Sequence, residues 1–176
     1  PVVLVGMGGG FSYAHDGPTH WDLHDLGTLL HFPGLALHTP STAAAVQKLV
    51  PRLAAQRGPA YLRLERDAAP ALPPPAAAAH AAVTLLTYGS LTVAAGRAAE
   101  MLTRSGLAAR VVCVPRLRPL SAAQWHKFIP PGRPYVTIEE HAAPGPLALL
   151  AAAYCRDQGI SSPGLACAVA DDPGRR

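Results

Sequence analysis

Gly6-Met7-Gly8-Gly9-Gly10-Phe11-Ser12-Tyr13-Ala14-His15-Asp16-Gly17-Pro18-Thr19-His20 follows the apolar run Val2–Val5, and its reading decides the rest. A β-branched run of that kind is a short strand. Gly backbone admits close approach of a ligand or a neighbouring chain. A strand that ends in Gly and then offers Asp and His before a helix is how open α/β sheets build sites at their carboxyl edge. Asp16 can accept hydrogen bonds from hydroxyls. His20 can donate and accept near neutral pH.

The spacing of the glycines excludes a dinucleotide fingerprint: no GxGxxG can be written, and no Walker lysine follows. The run is read as room for a backbone or ligand, or as a structural turn. Asp16, His20 and His24 recur every four residues, but Pro18 interrupts a continuous helix and there is no HExxH, so no metal site is expected. His24 is read as a helix-surface or packing residue.

Outward from this stretch, apolar strands alternate with helices. A helix is expected over Thr19–Leu30, stopped by Pro33-Gly34, then a strand over Leu35–His38. Ser41 is expected to cap a helix to about Gln56, kinked or broken at Pro51. Ala60–Leu64 is the next strand, with Arg63 and Arg66 near its end. Arg66, at a strand exit, suits a phosphate or carboxylate, with a solvated arginine as the alternative.

Residues 67–82 are rich in Ala and Pro, centred on Pro73-Pro74-Pro75, and read as a linker. Beyond it come a strand Val83–Thr87, a helix opened by Gly89-Ser90, a strand Arg110–Val114, a short helix from Ser121 through Phe128, a strand Tyr135–Ile138, a helix from Pro146 to Asp157 and a strand near Leu165–Val169. Gly89-Ser90 is read as a helix cap, with an anion site as the alternative. Glu139-Glu140-His141 is expected to end its strand and to cap the next helix or sit in an interface; acid–base machinery is the alternative. The fold class is α/β: two three-layer α/β/α units with mainly parallel sheets. The unit from residue 83 onward is complete. The first has three strands and two helices, too few for a doubly wound domain.

Composition narrows the function. The chain has 176 residues, 49% of them hydrophobic, and a net charge of +4. Its arginines are scattered and its few aromatics do not interleave with them, which argues against nucleic-acid binding. No apolar run is long enough to span a membrane. The odd number of cysteines (Cys113, Cys155, Cys167) without CxxC spacing suits reduced, mostly buried thiols in a cytoplasmic protein. No signal or transit peptide is recognisable. The first residue is Pro rather than Met, so the chain is expected not to start where its gene starts.

GMGGGFSYAHDGPTHWDLHDL, FPGLALHTPST and GPAYLRLERD resemble the transketolase family of thiamine-diphosphate enzymes, which includes deoxyxylulose-phosphate synthase. VTLLTYGSLTVAAGRAAEML, RVVCVPRLRPLS and YVTIEEHAAPG resemble that family's C-terminal domain, so the likeness covers nearly the whole chain. DGPTH separates transketolase-like members from the related oxo-acid dehydrogenase β subunits. The resemblance implies residues 1–66 as the C-terminal half of a pyrimidine-binding domain, a linker over 67–82 and a transketolase C-terminal-like domain over 83–176, that is, a partial thiamine-diphosphate-binding fold plus the C-terminal fold.

The resemblance also implies roles. Asp16 would bind a substrate hydroxyl near the reacting carbon. His20 would lie close to the thiamine and the substrate. Arg66 would contact a sugar phosphate. The reaction implied is transfer of a two-carbon ketol unit, or carboligation, on a sugar or sugar phosphate, with thiamine diphosphate as electron sink. The sequence departs from the family pattern in lacking the metal-binding GDG…N motif, the glutamate that activates the aminopyrimidine and the aromatic wall around it. The positions of the phosphate-contacting histidine of transketolases and the arginine of the synthases are Gly8 and Gly9. The family's usual final helix is missing from Ala170–Arg176. Mg2+ and the diphosphate would therefore be held by parts absent from this chain. The expected partner is a complementary N-terminal transketolase-like subunit or segment, in a homo- or hetero-oligomer. The alternative is a non-catalytic remnant or a dimerisation and assembly module; a free flavodoxin-like domain is a third reading.

Overall fold

A computed structural model describes residues 2–66 and 81–170. The stretch read as a linker, except Ala81 and Ala82, and the end of the chain past Ala170 lie outside the described residues. The fold is mixed α/β with mainly parallel sheets, as expected. Its elements are β1 (Val3–Met7), α1 (Asp25–Leu29), β2 (Ala36–His38), α2 (Ala43–Ala55), β3 (Ala60–Leu64), β4 (Val83–Thr87), α3 (Leu91–Arg104), β5 (Ala109–Cys113), β6 (Arg116–Arg118), α4 (Ala122–Phe128), β7 (Tyr135–Ala142), α5 (Pro146–Asp157) and β8 (Gly164–Val169).

One sheet has the order β1-β3-β2-β6, the other β5-β4-β7-β8. Every pairing is parallel except β2 with β6. β6 is a correction to the sequence reading, in which Arg116–Arg118 belonged to a loop. This short segment leaves the second half of the chain and adds an antiparallel strand to the first sheet. Arg118 then donates to the carbonyls of Leu29, Leu30, Phe32 and Leu35, closing the end of α1 and the turn after it. Leu29 O and Phe32 O also accept from Phe32 N and Leu35 N, and the guanidinium fork serves all four carbonyls at once.

The expected helix over Thr19–Leu30 is shorter than predicted. Two 3-10 turns, Ala14–Asp16 and Pro18–His20, come first, and only Asp25–Leu29 is α-helical. The reason is a backbone bridge between Gly10 and Asp22, which takes Asp22 out of a helix, with Trp21 before it extended. His24 is exposed at the start of α1. Thr42 rather than Ser41 caps α2, its hydroxyl accepting from Ala45 N at 3.1 Å. Pro51 neither breaks α2 nor splits it. β7 runs on to Ala142, so Glu139, Glu140 and His141 lie within a strand rather than after it.

Period-2 alternation assigns the faces. On β3, Ala60 and Leu62 pack with Leu53 of α2, while Tyr61 joins a core that includes Leu86, Tyr88, Trp125 and Leu147 of the second half. The largest core is therefore shared by both halves. On β4, Val83 and Leu85 pack with Ala99 of α3. β1 stands apart. Leu4 and Val5 point to opposite faces and are 51% and 59% exposed, while Val3 packs on the Leu53 cluster, so this edge strand is only partly covered. The cysteines are corrected in part: Cys155 is buried, Cys113 half-buried and Cys167 exposed. Among the described residues no helix is long and apolar enough to cross a membrane.

Candidate functional site

β1 and β3 run parallel with Met7 level with Leu64, so the segments that leave them emerge side by side. The amides of Gly8 and Gly9 both donate to Leu64 O, at 2.8 and 3.2 Å. Ser12 Oγ donates to Gly9 O at 2.7 Å and accepts from Arg66 N at 3.3 Å. The ring of Trp21 meets Phe11 edge-on at 5.3 Å, and its indole N–H donates to Ala14 O. These contacts fold residues 8–22 into one loop against the exit of β3. Asp16 and His20 are exposed on it. Asp16 lies 3.4 Å from His15 Nε2. His20 Nδ1 is 3.0 Å from Thr19 Oγ1, which leaves Nε2 as its free nitrogen. The exposed guanidinium of Arg66 lies over the ring of Tyr13 at 5.9 Å. The loop and Arg66 are thus brought together.

Beside them is a cleft of about 300 Å³ between the strand ends and the start of α2. Met7, Leu64 and Val46 supply apolar walls, Ser41, Thr42 and Arg66 polar ones. Asp16 and His20 do not line it.

Under the loop lies a buried charged layer. Arg63, on β3 itself, is 2% exposed. Its Nε is 3.3 Å from Asp25 Oδ2, its Nη1 4.0 Å from Glu65 Oε1, and its Nη2 donates to Glu140 O at 3.3 Å. Tyr61 OH donates to the same Asp25 oxygen at 2.8 Å. Burial works against the charge on Arg63, but Asp25, Tyr88, Glu65 and Asp22 outweigh it and raise the pKa. Nε and Nη1 make no hydrogen bond among the described residues, so charge alone ties them to their carboxylates.

The acidic residues of β7 each have a defined partner. Glu139 accepts from Leu147 N and Ala148 N at 2.7 and 2.8 Å, capping α5, where the helix dipole favours negative charge. Burial nevertheless raises its carboxyl to about 7, against the pull of those two amides. Glu140 accepts from Phe11 N at 3.0 Å, across 129 residues of sequence. Burial raises its pKa, the Phe11 amide lowers it, and Glu65 raises it again. His141 Nε2 accepts from Gly27 N at 3.0 Å, which assigns its proton to Nδ1, facing Ala142 O. Of the readings of this cluster, capping of the following helix is observed, by Glu139. At α3, Ser90 makes no side-chain cap; Glu65 accepts from Ser90 N instead, so the anion at that helix start is the chain's own.

The glycine run has its explanation here. A Cβ on Gly9 would come 2.1 Å from Arg63 Nε, and one on Gly10 2.1 Å from Glu140 Oε2. Sequence reading left room for a backbone or ligand; two charged side chains, the buried Arg63 and the half-buried Glu140, fill it. It also missed Asp25 and Tyr61. The available signal was Tyr61 and Arg63 on one face of a strand, two residues apart, on the side that faces the second sheet.

Two family models match the chain: the transketolase pyrimidine binding domain over residues 1–71 and the transketolase C-terminal domain over residues 77–173. One of the subunits of an apulose-4-phosphate transketolase from Phocaeicola vulgatus is 32% identical over 83% of this chain and 50% of its own length. The 1-deoxy-D-xylulose-5-phosphate synthase of Parasynechococcus marenigrum is 27% identical over 89% of this chain and 26% of its own. The chain thus spans half or less of these curated relatives. Among solved structures, a split gene transketolase described as an inactive beta4 tetramer superposes with a TM-score of 0.76 at 25% identity, covering 97% of this chain and 58% of that one. A transketolase mutant from Pichia stipitis superposes with a TM-score of 0.71 at 19% identity, over 94% of this chain and 25% of that one.

Proposed function

The chain belongs to the transketolase family, and on that premise we propose that it is the C-terminal part or subunit of a thiamine-diphosphate enzyme that transfers a two-carbon ketol unit, or carboligates, on a sugar or sugar phosphate. The observation that carries this reading is the hydrogen bond from Arg66 N to Ser12 Oγ, which sets a cation beside the loop that presents Asp16 and His20.

In this reading Asp16 and His20 are the catalytic pair and, with Arg66, bind substrate. Asp16 accepts a hydrogen bond from a substrate hydroxyl. His20 uses its free Nε2 to hold or pass a proton. Arg66 meets a phosphate or other anion at the far end. Orientation of the substrate is the main contribution of all three.

The described residues do not fit the cofactor's metal and diphosphate. Among them no three His, Cys, Asp or Glu side chains are grouped as a metal needs. Glu65, the carboxylate on the cleft, is held by Ser90 N and Arg63. The electron-sink chemistry therefore belongs to the completed enzyme, with the magnesium and diphosphate held elsewhere. The free edge of β1 supports a complementary segment or subunit: β1 pairs only with β3 among the described residues, and an open strand edge beside exposed apolar side chains is a template for another strand.

Calorimetric titration of thiamine diphosphate with magnesium tests this, first into the chain alone and then into its mixture with a neighbouring-gene product. Binding in the mixture only is the expected result. Turnover of sugars by the chain alone would overturn the need for a complement. No binding in either case would leave a remnant or assembly module, with Asp16, His20 and Arg66 idle.

A further inference from the structure

We propose that Glu140, on the far side of the chain from the substrate loop in sequence, is a positioning residue for that loop. This rests on the reading of residues 8–20 as a substrate-binding loop.

Among the described residues the loop has four anchors, one of them the bond from Arg66 N to Ser12 Oγ. Its start is held by Leu64 O and its end by the Gly10–Asp22 bridge, both from within the first half of the chain. The fourth anchor comes from the second half, where Glu140 Oε2 accepts from Phe11 N at 3.0 Å. Phe11 is the first residue after the glycines, and its ring packs on Trp21 next to His20. A shift at Phe11 therefore reaches both ends of the segment that carries Asp16 and His20.

Glu140 is itself held in place. Arg63 Nη2 donates to its main-chain oxygen, and its carboxylate fits where Gly10 has no side chain. A half-buried carboxylate accepting from a backbone N–H makes a stronger bond than a neutral acceptor does. The charged groups that bear on it are Glu65, which opposes its charge, and Arg63, which favours it. The second sheet thus does more than assemble the molecule: it fixes the height of the loop over the strand ends. A shift of about 1 Å in a positioned group can cost a hundredfold in rate, so one backbone bond from a distant strand is enough to matter.

The test compares Glu140→Asp, which keeps the charge but falls one methylene short of Phe11, with Glu140→Gln, which keeps the reach and loses the charge. Both keep the fold, reported by the indole resonance of Trp125 in the shared core. The loop is reported by the indole resonance of Trp21 and the hydrogen exchange of the Phe11 amide. In Glu140→Asp, Phe11 protection should fall at least tenfold and the Trp21 resonance should move while Trp125 stays. In the completed enzyme its KM for sugar substrate should rise at least fivefold, and kcat should fall as well, because the loop also carries the catalytic pair. Glu140→Gln, which keeps the reach and loses only the charge, should loosen the loop clearly less than Glu140→Asp in every readout. Unchanged Phe11 protection in Glu140→Asp, or equal loosening in both variants, would overturn the proposal whatever the loop binds. A loosened loop with unchanged KM is resolved by Asp16→Asn in the same assay. If that variant is impaired, the role of Glu140 fails; if it is unimpaired, the substrate reading of the loop fails.

Discussion

Arg63 Nε stands 3.3 Å from Asp25 Oδ2, with 1% and 8% of the two side chains exposed. The pair joins β3 to α1 beneath the loop of residues 8–22, and Tyr61 hydrogen-bonds the same carboxylate. Desolvating both ions is costly, so the pair is weak evidence for stability, but breaking it strands a charge.

Asp25→Ala should therefore destabilise the protein by about 3–5 kcal/mol, because it leaves Arg63 buried without its nearest counter-charge. Tyr61→Phe should cost less, about 1.5–3 kcal/mol, the range for a hydrogen bond to a charged group. Urea unfolding of the two variants checks the order.

Gly9→Ala is a small change with a large expected effect. The new methyl would meet Arg63 Nε at 2.1 Å and its Cγ at 2.9 Å. Arg63 is enclosed by its carboxylates and cannot swing aside. Overpacking of this kind costs about 1–3 kcal/mol. Gly58→Ala, with nothing within 4 Å, is the matched control and should be close to neutral. Thermal unfolding separates them.

Glu139 gives a pH prediction. Burial lifts its carboxyl from the ordinary 4.5 to about 7, so the folded state holds this proton more tightly than the unfolded chain. Its contribution to stability is complete below about pH 4.5 and is lost as pH rises through about 7. Glu139→Gln mimics the protonated form. Relative to the wild type it should gain stability between pH 4.5 and 7, on the order of 2–3 kcal/mol across that window, and be flat above it. Denaturation midpoints of both proteins across pH measure the difference; parallel curves would refute it.

Arg66→Ala tests the anion subsite. The main-chain bond from Arg66 N to Ser12 survives the substitution, so the loop should stay in place. In the completed enzyme KM for a phosphorylated sugar should rise about tenfold to a hundredfold, about 1.4–2.8 kcal/mol of lost binding. KM for the unphosphorylated sugar should hardly change. Equal losses on both would remove Arg66 from phosphate binding.

The strands and most helices were legible locally. Ala60–Leu64 and Val83–Thr87 are strands with the bounds their composition gives, and α5 runs from Pro146 to Asp157 as its opening proline and apolar spacing require. Local pattern carries such elements because side-chain period and capping act over a few residues. The stretch Gly8–His20 was also legible as a loop after a strand from its glycines and Pro18. Its conformation was not. The helix expected over Thr19–Leu30 yields to two 3-10 turns because Gly10 and Asp22 pair across the loop, and Arg116–Arg118 becomes a strand only because β2 offers it an edge.

The amino-acid sequence by itself determined the α/β alternation and the family likeness, since each is written in runs of neighbouring residues. Tertiary structure alone decided which charges meet. Arg63 with Asp25 and Glu140 with Phe11 are joined across 38 and 129 residues, and Gly9 and Gly10 have the space they need only once those partners are in place. The physical reason is burial: a charged side chain on a strand is stable out of water only where distant segments supply its counter-charge and hydrogen bonds, and no local pattern records where those segments end up.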